Sequence, residues 1–218
     1  MTYTEYVQNY LAQQDPGAPI YTDAIAEKMA ADYGIVIKKA AAATSVAVKR
    51  IIDNRVFPDF RCFQKGIYYR TAATPFGELG INLEKLIAKK YLIPDKGYET
   101  GLRLLYHMGL TSQIPTEYLI ATNVAKGCVR YDSKIGVSIC PPKTLVNAEN
   151  KAYLQTLDVL DLLDKAPVDV PNPYTVLANH IRRNGLQYEM LLYYADRYYN
   201  RKTIILLAHI ASQKESGI

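Results

Sequence analysis

IKKAAAATSVAVKRIIDNRVFPDFRCFQKGIYYRT, residues 37 to 71, is the stretch of this sequence that decides the fold. At about 100° per residue, its first half predicts one amphipathic helix that ends at Asn54. The predicted core side of this helix carries Val36, Ala40, Ala43, Ala47 and Ile51. The opposite side carries Lys38, Ala42, Ser45 and Lys49. The helix therefore combines a core face with a short positive ridge, and Thr44 falls towards the core.

The second half of this stretch predicts a β-hairpin. We expect Asn54 to end the helix in the left-handed conformation. Two runs rich in aromatic and β-branched residues follow, DFRCF at 59–63 and IYYRT at 67–71, and a short polar connection ending in Gly66 joins them. Tyr68 and Tyr69 alternate across the second strand, so one of them is expected to pack on the core.

Two more helices are predicted before this stretch. Residues 3–14 have apolar side chains at helical spacing, and Asp15-Pro16-Gly17 ends that helix. A second helix, DAIAEKMAADY at 23–33, is expected to have Thr22 as its N-cap and Gly34 as its stop. The order is helix, helix, turn, helix and hairpin, which is the order of a winged helix-turn-helix.

Positive charge is concentrated in the same region. Residues 36–73 carry eight Lys and Arg side chains against two Asp side chains, a net charge of +6, whereas the whole chain carries +5. Residues 1–35 are acidic. Charge focused in this way is typical of proteins that bind a polyanion such as nucleic acid.

In a winged helix the third helix lies in the major groove of double-stranded DNA, and the hairpin follows the backbone or a minor groove. The predicted DNA contacts are Lys38, Lys39, Ser45 and Lys49 on the helix and Arg61, Lys65 and Arg70 on the hairpin. Two alternatives stay open, because the same pattern fits a solvated basic face, and winged helices also serve as protein-interaction modules.

A composition shift at TAATPFGELGIN, residues 71–82, marks the predicted domain boundary. We expect an α+β protein with a winged helix-turn-helix at 1–73 and a mixed α+β domain ending in helices at 74–218. The predicted helices of the second domain are 83–91, 98–109, 150–165, 174–184, 187–199 and 201–213, and its predicted strands are 117–122, 127–131 and 134–140, the last two joined by a turn at Asp132-Ser133.

Other motifs give few functional indications. Three widely spaced cysteines predict neither a disulfide framework nor a zinc site, and we expect neither a signal peptide nor a bilayer-spanning run. We therefore expect a cytoplasmic protein with no membrane partner, no metal and no cofactor. The three histidines have no metal-site spacing, and Asp158, Asp161 and Asp164 are expected on a solvated helix face. Glu84 and Glu99 allow a nuclease-like alternative without a defined geometry.

Four segments resemble the AbiEi-like antitoxin and transcriptional-regulator proteins of bacteria. They are KGIYY at 65–69, GYETG at 97–101, GLTSQIP at 109–115 and ATN at 121–123. Their glycines also fit ordinary turn chemistry. The resemblance covers about residues 20 to 210.

The resemblance implies a transcriptional autorepressor that binds the promoter of its own operon and neutralises a nucleotidyltransferase-like toxin, AbiEii. It assigns DNA contacts to the same helix and wing, with Arg50 added as a phosphate contact. On this basis we expect no enzymatic activity. The alternatives are a nuclease-like enzyme with a winged-helix targeting domain, or a winged-helix protein-interaction module. Bacterial repressors often bind DNA as dimers, but the sequence does not fix the oligomeric state.

Overall fold

The computed structural model describes residues 1–212 and shows a mixed α+β protein. The chain divides into two compact units, Met1–Leu86 and the part from Ile87 onward. Each unit has its own buried apolar cluster and its own antiparallel or mixed sheet.

The first unit contains three helices, α1 (Tyr3–Ala12), α2 (Thr22–Tyr33) and α3 (Ile37–Asp53). At the start of α1, the hydroxyl of Thr2 accepts from the backbone N–H of Glu5, and the Glu5 carboxylate accepts from the backbone N–H of Thr2. This reciprocal pair satisfies two backbone donors that a helix start leaves without partners. Gly34 ends α2 with φ 61°, as the sequence predicts.

Two predicted helix ends differ from the structure. Thr22 is the first residue of α2 and not its cap, and its hydroxyl donates to the carbonyl oxygen of Gly66 over 3.4 Å. Asn54 has φ −87°, and the left-handed residue is Arg55 with φ 50°. The chain therefore turns one residue later than the preference of Asn for this conformation predicts.

The hairpin is formed by β2 (Phe60–Gln64) and β3 (Ile67–Arg70). Gly66 in the connection has φ 84°, a conformation that glycine adopts without steric cost. A third strand, β1 (Ile20–Tyr21), pairs with β3, so the antiparallel sheet has the order β1-β3-β2. Strand β1 was not predicted, because two residues are too few to show a period of two.

One side of α3 completes the core of the first unit. Its buried residues are Ala40, Thr44, Ala47, Val48 and Ile51, and they pack with side chains of α1 and α2. Val36, predicted on the core side, is 72% exposed because it precedes the first helical residue. Tyr68 packs against the core, and its ring is stacked on Phe60 with a centroid distance of 5.1 Å.

The first unit extends beyond the predicted boundary at residue 73. A small hairpin of β4 (Ala73–Thr74) and β5 (Gly77–Glu78) precedes α4 (Leu83–Ile87). The backbone N–H of Asn82 donates to the carbonyl oxygen of Gly17 over 2.8 Å. The hydroxyl of Thr71 donates to the carbonyl oxygen of Leu79 over the same distance. These hydrogen bonds attach residues 74–86 to the N-terminal unit.

The sheet of the second unit has the order β6-β7-β9-β8. Its strands are β6 (Gly97–Thr100), β7 (Leu119–Thr122), β8 (Arg130–Asp132) and β9 (Val137–Cys140). The β7–β9 pair is parallel and the other two pairs are antiparallel. Each of the three predicted segments contains a strand, but the turn predicted at Asp132-Ser133 is wrong, because Asp132 still belongs to β8 and pairs with Val137, and residues 133–136 form the turn. The helix predicted at 98–109 is wrong in its first half, because residues 97–100 pair with β7 and only α5 (Leu102–His107) is helical.

A π-helical turn at Ala88–Leu92 follows α4, and four longer helices follow the sheet. These are α6 (Lys151–Leu162), α7 (Pro173–Arg183), α8 (Tyr188–Tyr198) and α9 (Arg201–Ser212). All four were predicted, and residue 213 of the last predicted helix lies outside the described residues. Their apolar faces supply most of the larger buried cluster, together with Leu104, Leu105 and Leu110.

Asp158 on α6 is not on a solvated face, in contrast to the prediction. Its carboxylate accepts hydrogen bonds from three hydroxyl groups, those of Tyr98 at 3.0 Å, Thr100 at 2.9 Å and Tyr199 at 2.6 Å. Burial raises the pKa of the Asp158 carboxyl even though these hydroxyl donors, and the charge of Lys143, favour its ionised form. Asp158 therefore connects α6 with β6 and with the end of α8.

The raised pKa of Asp158 predicts a pH-dependent stability. An acid whose pKa is higher in the folded state holds its proton more firmly there, so its contribution to stability falls as pH rises from about 4. We expect the free energy of unfolding of the parent, minus that of Asp158→Asn, to decrease from pH 4 towards neutral pH in urea titrations. Asp196→Asn, at an exposed position, is the control and should show no such trend. A difference that rises with pH would contradict the prediction.

Gly97 in β6 lies where a side chain has no space. A Cβ atom at this position would lie 2.3 Å from the carbonyl oxygen of Tyr91 and 2.7 Å from that of Ala121. Both atoms belong to the backbone, which cannot move aside as a flexible side chain can. The first glycine of GYETG is therefore explained by packing.

We predict that Gly97→Ala lowers the free energy of unfolding by about 2 kcal/mol or more, because a buried methyl group forces the backbone to shift. Gly80→Ala is the matched control, since a Cβ there meets nothing within 4 Å and the backbone needs no left-handed angle. Chemical denaturation of both variants measures the difference. Equal stability of Gly97→Ala and the parent would contradict the close approach.

Candidate nucleic-acid interface

The exposed side of α3 carries a line of polar side chains. Lys38, Ser45 and Lys49 lie within one narrow sector of the helix, opposite its buried residues, and all three are exposed. With a rise of about 1.5 Å per residue, the two lysines are about 16 Å apart along the axis. The core packing of α3 thus directs this line away from the core of the first unit.

Lys39 and Arg50 form a second line, about 100° around the helix from the first. Both are exposed, and Val46, which is 50% exposed, lies between them. Val46 is not among the predicted contact residues, although its place on the exposed side of the helix follows from the sequence. An exposed branched side chain among cations offers an apolar contact next to charged ones.

The cations of α3 have no partners among the described residues. Within residues 1–212, the side chains of Lys38, Lys39, Lys49 and Arg50 make no hydrogen bond or ion pair. The hydroxyl of Ser45 donates to the carbonyl oxygen of Ala41 over 2.9 Å and keeps its lone pairs for a further donor. These charges are available to an external anion without breaking a contact in the protein.

Lys65 lies in the connection between β2 and β3. It is exposed, and its ammonium group likewise has no partner among the described residues. The backbone N–H of Thr22 donates to the carbonyl oxygen of the neighbouring Gly66 over 3.0 Å. The tip of the hairpin is therefore fixed beside the beginning of α2.

Arg61 is held by acceptors of the first unit. Its guanidinium donates to the carbonyl oxygen of Pro58 over 2.6 Å and lies 3.1 Å from a carboxylate oxygen of Glu78. The carboxylate belongs to β5, a strand that was not predicted from the sequence. Arg61 is thus partly neutralised at the base of the hairpin.

Arg70 is more firmly held than Arg61. Its Nε lies 2.7 Å from a carboxylate oxygen of Asp59, and its guanidinium covers the ring of Phe57 at 5.4 Å from the centroid. A third contact, to the carbonyl oxygen of Ala12, has a length of 3.4 Å. Through these contacts, the side chain of Arg70 connects the end of α1 to the hairpin.

The two tyrosines of β3 differ in their surroundings. Tyr68 packs on the core, and burial, with a smaller contribution from Cys62, raises the pKa of its hydroxyl, so Tyr68 is a structural residue. Tyr69 is half-buried. The expectation that one of the pair packs on the core is confirmed.

The two carboxylates considered for catalysis belong to different units. Glu84 lies on α4 in the first unit, and Glu99 lies on β6 in the second. Among residues 1–212, no group of three or more His, Cys, Asp and Glu side chains is placed to hold a metal ion. Over the same range, no helix has the length and apolar character needed to cross a bilayer. The thiols of Cys62, Cys128 and Cys140 are free.

No family model and no curated protein matches the chain. Among solved structures, the chain is similar to the RV2827C protein from Mycobacterium tuberculosis, with 12% sequence identity and a TM-score of 0.46. The match covers 96% of this chain and 76% of that chain. At this level of similarity, the match supports no conclusion about fold or function.

The contacts of Arg70 predict that it stabilises the first unit. We expect Arg70→Ala to lower the free energy of unfolding by about 1–3 kcal/mol, because Asp59 loses a charge-assisted hydrogen bond in a half-buried site. Lys38→Ala removes an exposed charge that has no partner among the described residues. This substitution should change the free energy of unfolding by less than about 0.5 kcal/mol. Urea denaturation distinguishes the two. Equal effects would show that the ion pair of Arg70 does not contribute to stability.

Proposed function

We propose that the first unit is a winged helix-turn-helix that binds double-stranded DNA, and that the protein represses its own operon as the antitoxin of a toxin–antitoxin pair. The observation that carries the DNA-binding part is the set of unpartnered cations on one exposed side of α3 and on the hairpin tip. The element order and the sheet order β1-β3-β2 support the winged-helix assignment.

In this proposal α3 lies in the major groove. Lys38 and Lys49 contact phosphates about 16 Å apart, and Lys39 and Arg50 add charge at the edge of the same surface. Val46 and Ala42 are placed to contact the methyl groups of thymine, which are exposed only in the major groove. Ser45, between the lysines, supplies a hydroxyl for a base edge or a phosphate.

The hairpin contributes mainly through Lys65. Arg61 and Arg70 would have to exchange Glu78 and Asp59 for phosphate groups, so their net contribution to DNA affinity is expected to be smaller. The proposed order of importance is therefore the unpartnered lysines first and the two paired arginines last. Occlusion of a promoter by such binding needs no catalysis.

The regulatory part of the proposal depends on the resemblance of KGIYY, GYETG, GLTSQIP and ATN to AbiEi-like proteins. It assigns neutralisation of a nucleotidyltransferase-like toxin to the second unit, and a gene for such a toxin is expected beside the gene for this chain. Co-expression of that neighbouring gene with and without the present chain tests this part. Equal growth inhibition in both cases would refute the antitoxin assignment.

One structural observation supports the alternative that the first unit docks a protein partner. Phe76, at the tip of the β4–β5 hairpin, is fully exposed, and the hydroxyl of Thr74 accepts from its backbone N–H over 3.2 Å. Aromatic side chains, Phe among them, are enriched at the cores of protein–protein interfaces. DNA binding and docking through Phe76 use different residues, so their variants separate the two functions.

The first experiment measures binding of the protein to its own upstream DNA and to an unrelated duplex at two salt concentrations. Selective binding with a steep salt dependence is expected if several phosphates are neutralised. Weak binding that ignores sequence would favour the docking alternative.

We predict that Lys49→Ala weakens binding to both duplexes by a similar factor, because a phosphate contact carries no sequence information. The slope of log K against log salt should flatten by about one unit. Lys85→Ala, an exposed lysine on α4 outside this surface, is the matched control and should leave the slope unchanged. An unchanged slope for Lys49→Ala would remove Lys49 from the interface.

A further inference from the structure

A cavity of about 530 Å³ lies in the second unit between β6, α5, α6 and α7. Its polar lining consists of Glu99, His107, Gln155, Asn179, His180 and Arg183. Leu104, Met108 and Val176 supply the apolar lining. The volume lies in the range of pockets that hold small organic molecules.

Helix α7 supplies four of the lining side chains from one face. Val176, Asn179, His180 and Arg183 have the spacing i, i+3, i+4 and i+7, which places them side by side along the helix. The start of α7 is fixed by the Asn172 side chain, which accepts from the backbone N–H of Thr175 over 3.2 Å. A regular, capped helix therefore positions this part of the wall.

The negative charge of Glu99 is already countered inside the protein. Its carboxylate oxygen Oε1 lies 3.0 Å from Nδ1 of His107 and 3.6 Å from Nε of Arg103. Burial raises the pKa of Glu99, while the charges of these two neighbours lower it. Since Nδ1 of His107 lies next to Glu99, Nε2 is the ring nitrogen that remains for a ligand.

The positive charge of Arg183 in the cavity is not countered in this way. Arg183 is exposed, and among residues 1–212 its guanidinium has no ion pair or hydrogen bond. His180 is half-buried beside it on α7, and burial lowers the pKa of its imidazole. The side-chain nitrogen of Asn184 lies 3.3 Å from its Nδ1, so His180 offers a neutral hydrogen-bonding ring to a ligand and not a charge. One guanidinium and two imidazole rings thus line the cavity, and the single carboxylate there is already paired. Such a set is suited to a phosphate group.

The remaining lining groups suit a planar polar ring. The side-chain N–H of Gln155 donates to the carbonyl oxygen of Glu99 over 3.1 Å, which leaves its own oxygen as an acceptor. The side-chain oxygen of Asn179 accepts from Arg182 over 3.2 Å, which leaves its NH₂ group as a donor. Amides of this kind recognise the edges of nucleobases, and Leu104, Met108 and Val176 offer apolar surface to the ring.

We infer that this cavity binds a nucleoside monophosphate, with the phosphate at Arg183 and the histidines and the base against the apolar wall. Binding here is a property of the second unit and does not depend on DNA binding by the first. No chemical change of the ligand is involved.

Isothermal titration calorimetry of the full-length protein with AMP tests the inference. AMP should bind, and inorganic phosphate should bind more weakly because it lacks the base. Arg183→Ala should weaken AMP binding about tenfold or more, because a charge-assisted hydrogen bond to the phosphate is lost. Arg201→Ala, an exposed arginine at the start of α9, is the matched control and should bind AMP as the parent does. An absence of AMP binding, or equal affinity in the Arg183 variant, would overturn the inference.

A carboxylate ligand is the competing source of negative charge. Succinate is therefore titrated under the same conditions, and we expect it to bind more weakly than AMP. Succinate binding as tight as AMP binding would overturn the assignment to a phosphate ester.

The three histidines of the chain provide a test on the unmodified protein. Addition of AMP should shift the imidazole NMR signals of His107 and His180. The signal of His209, which lies on α9 beside the ring of Tyr174, should move less than either. Because this experiment needs no Arg183 variant, it decides the question even if that variant fails to fold. Unchanged signals of His107 and His180 would overturn the inference.

Discussion

The burial of one side of α3 is the constraint on which the surface of the first unit depends. Ala40, Thr44 and Ala47 are small, so α3 can lie close to α1 and α2, while Val48 and Ile51 fill the remaining space. This packing fixes the rotation of the helix about its axis. The lysines on the opposite side are exposed as a consequence, and their alignment is a result of the core and not of contacts between the lysines.

The second unit is organised by a different kind of interaction. The buried carboxylate of Asp158 accepts hydrogen bonds from the hydroxyl groups of residues 98, 100 and 199, which are distant from it in the sequence. Hydrogen bonds offset part of the cost of removing such a group from water, and the raised pKa of Asp158 reflects the part that is not offset. The apolar faces of α6 to α9 supply the surrounding packing.

Sequence periodicity was sufficient for the longer elements. The helices from α1 to α3 and from α6 to α9, and the hairpin of β2 and β3, each contain enough residues for apolar positions to repeat. Periodicity did not predict β1, which has only two residues. It also did not predict β6, because the GYET sequence resembles the start of a helix, whereas in the structure it pairs with β7. In these two strands long-range hydrogen bonds determine the structure, and a local pattern carries no information about them.

The ion-pair partners of the charged side chains also could not be predicted from the sequence. Eight cations between residues 36 and 73 are visible as a cluster, but only the fold shows that Arg61 faces Glu78 and that Arg70 faces Asp59. The cavity of the second unit has the same origin, since Glu99, His107 and Arg183 come from three separate elements without a shared motif. The sequence was sufficient to predict which cations belong to the candidate interface. It did not show which of these cations form ion pairs within the protein.

The separation of the two sides of α3 has a consequence for how this protein diverges. The outward residues at positions 38, 42, 45, 46 and 49 take no part in the core, so exchanges among them leave folding almost untouched. The inward residues tolerate little change in volume. Descendants of this sequence can therefore acquire a new recognition surface by drift on one side of a single helix, while the architecture that presents it is inherited unchanged.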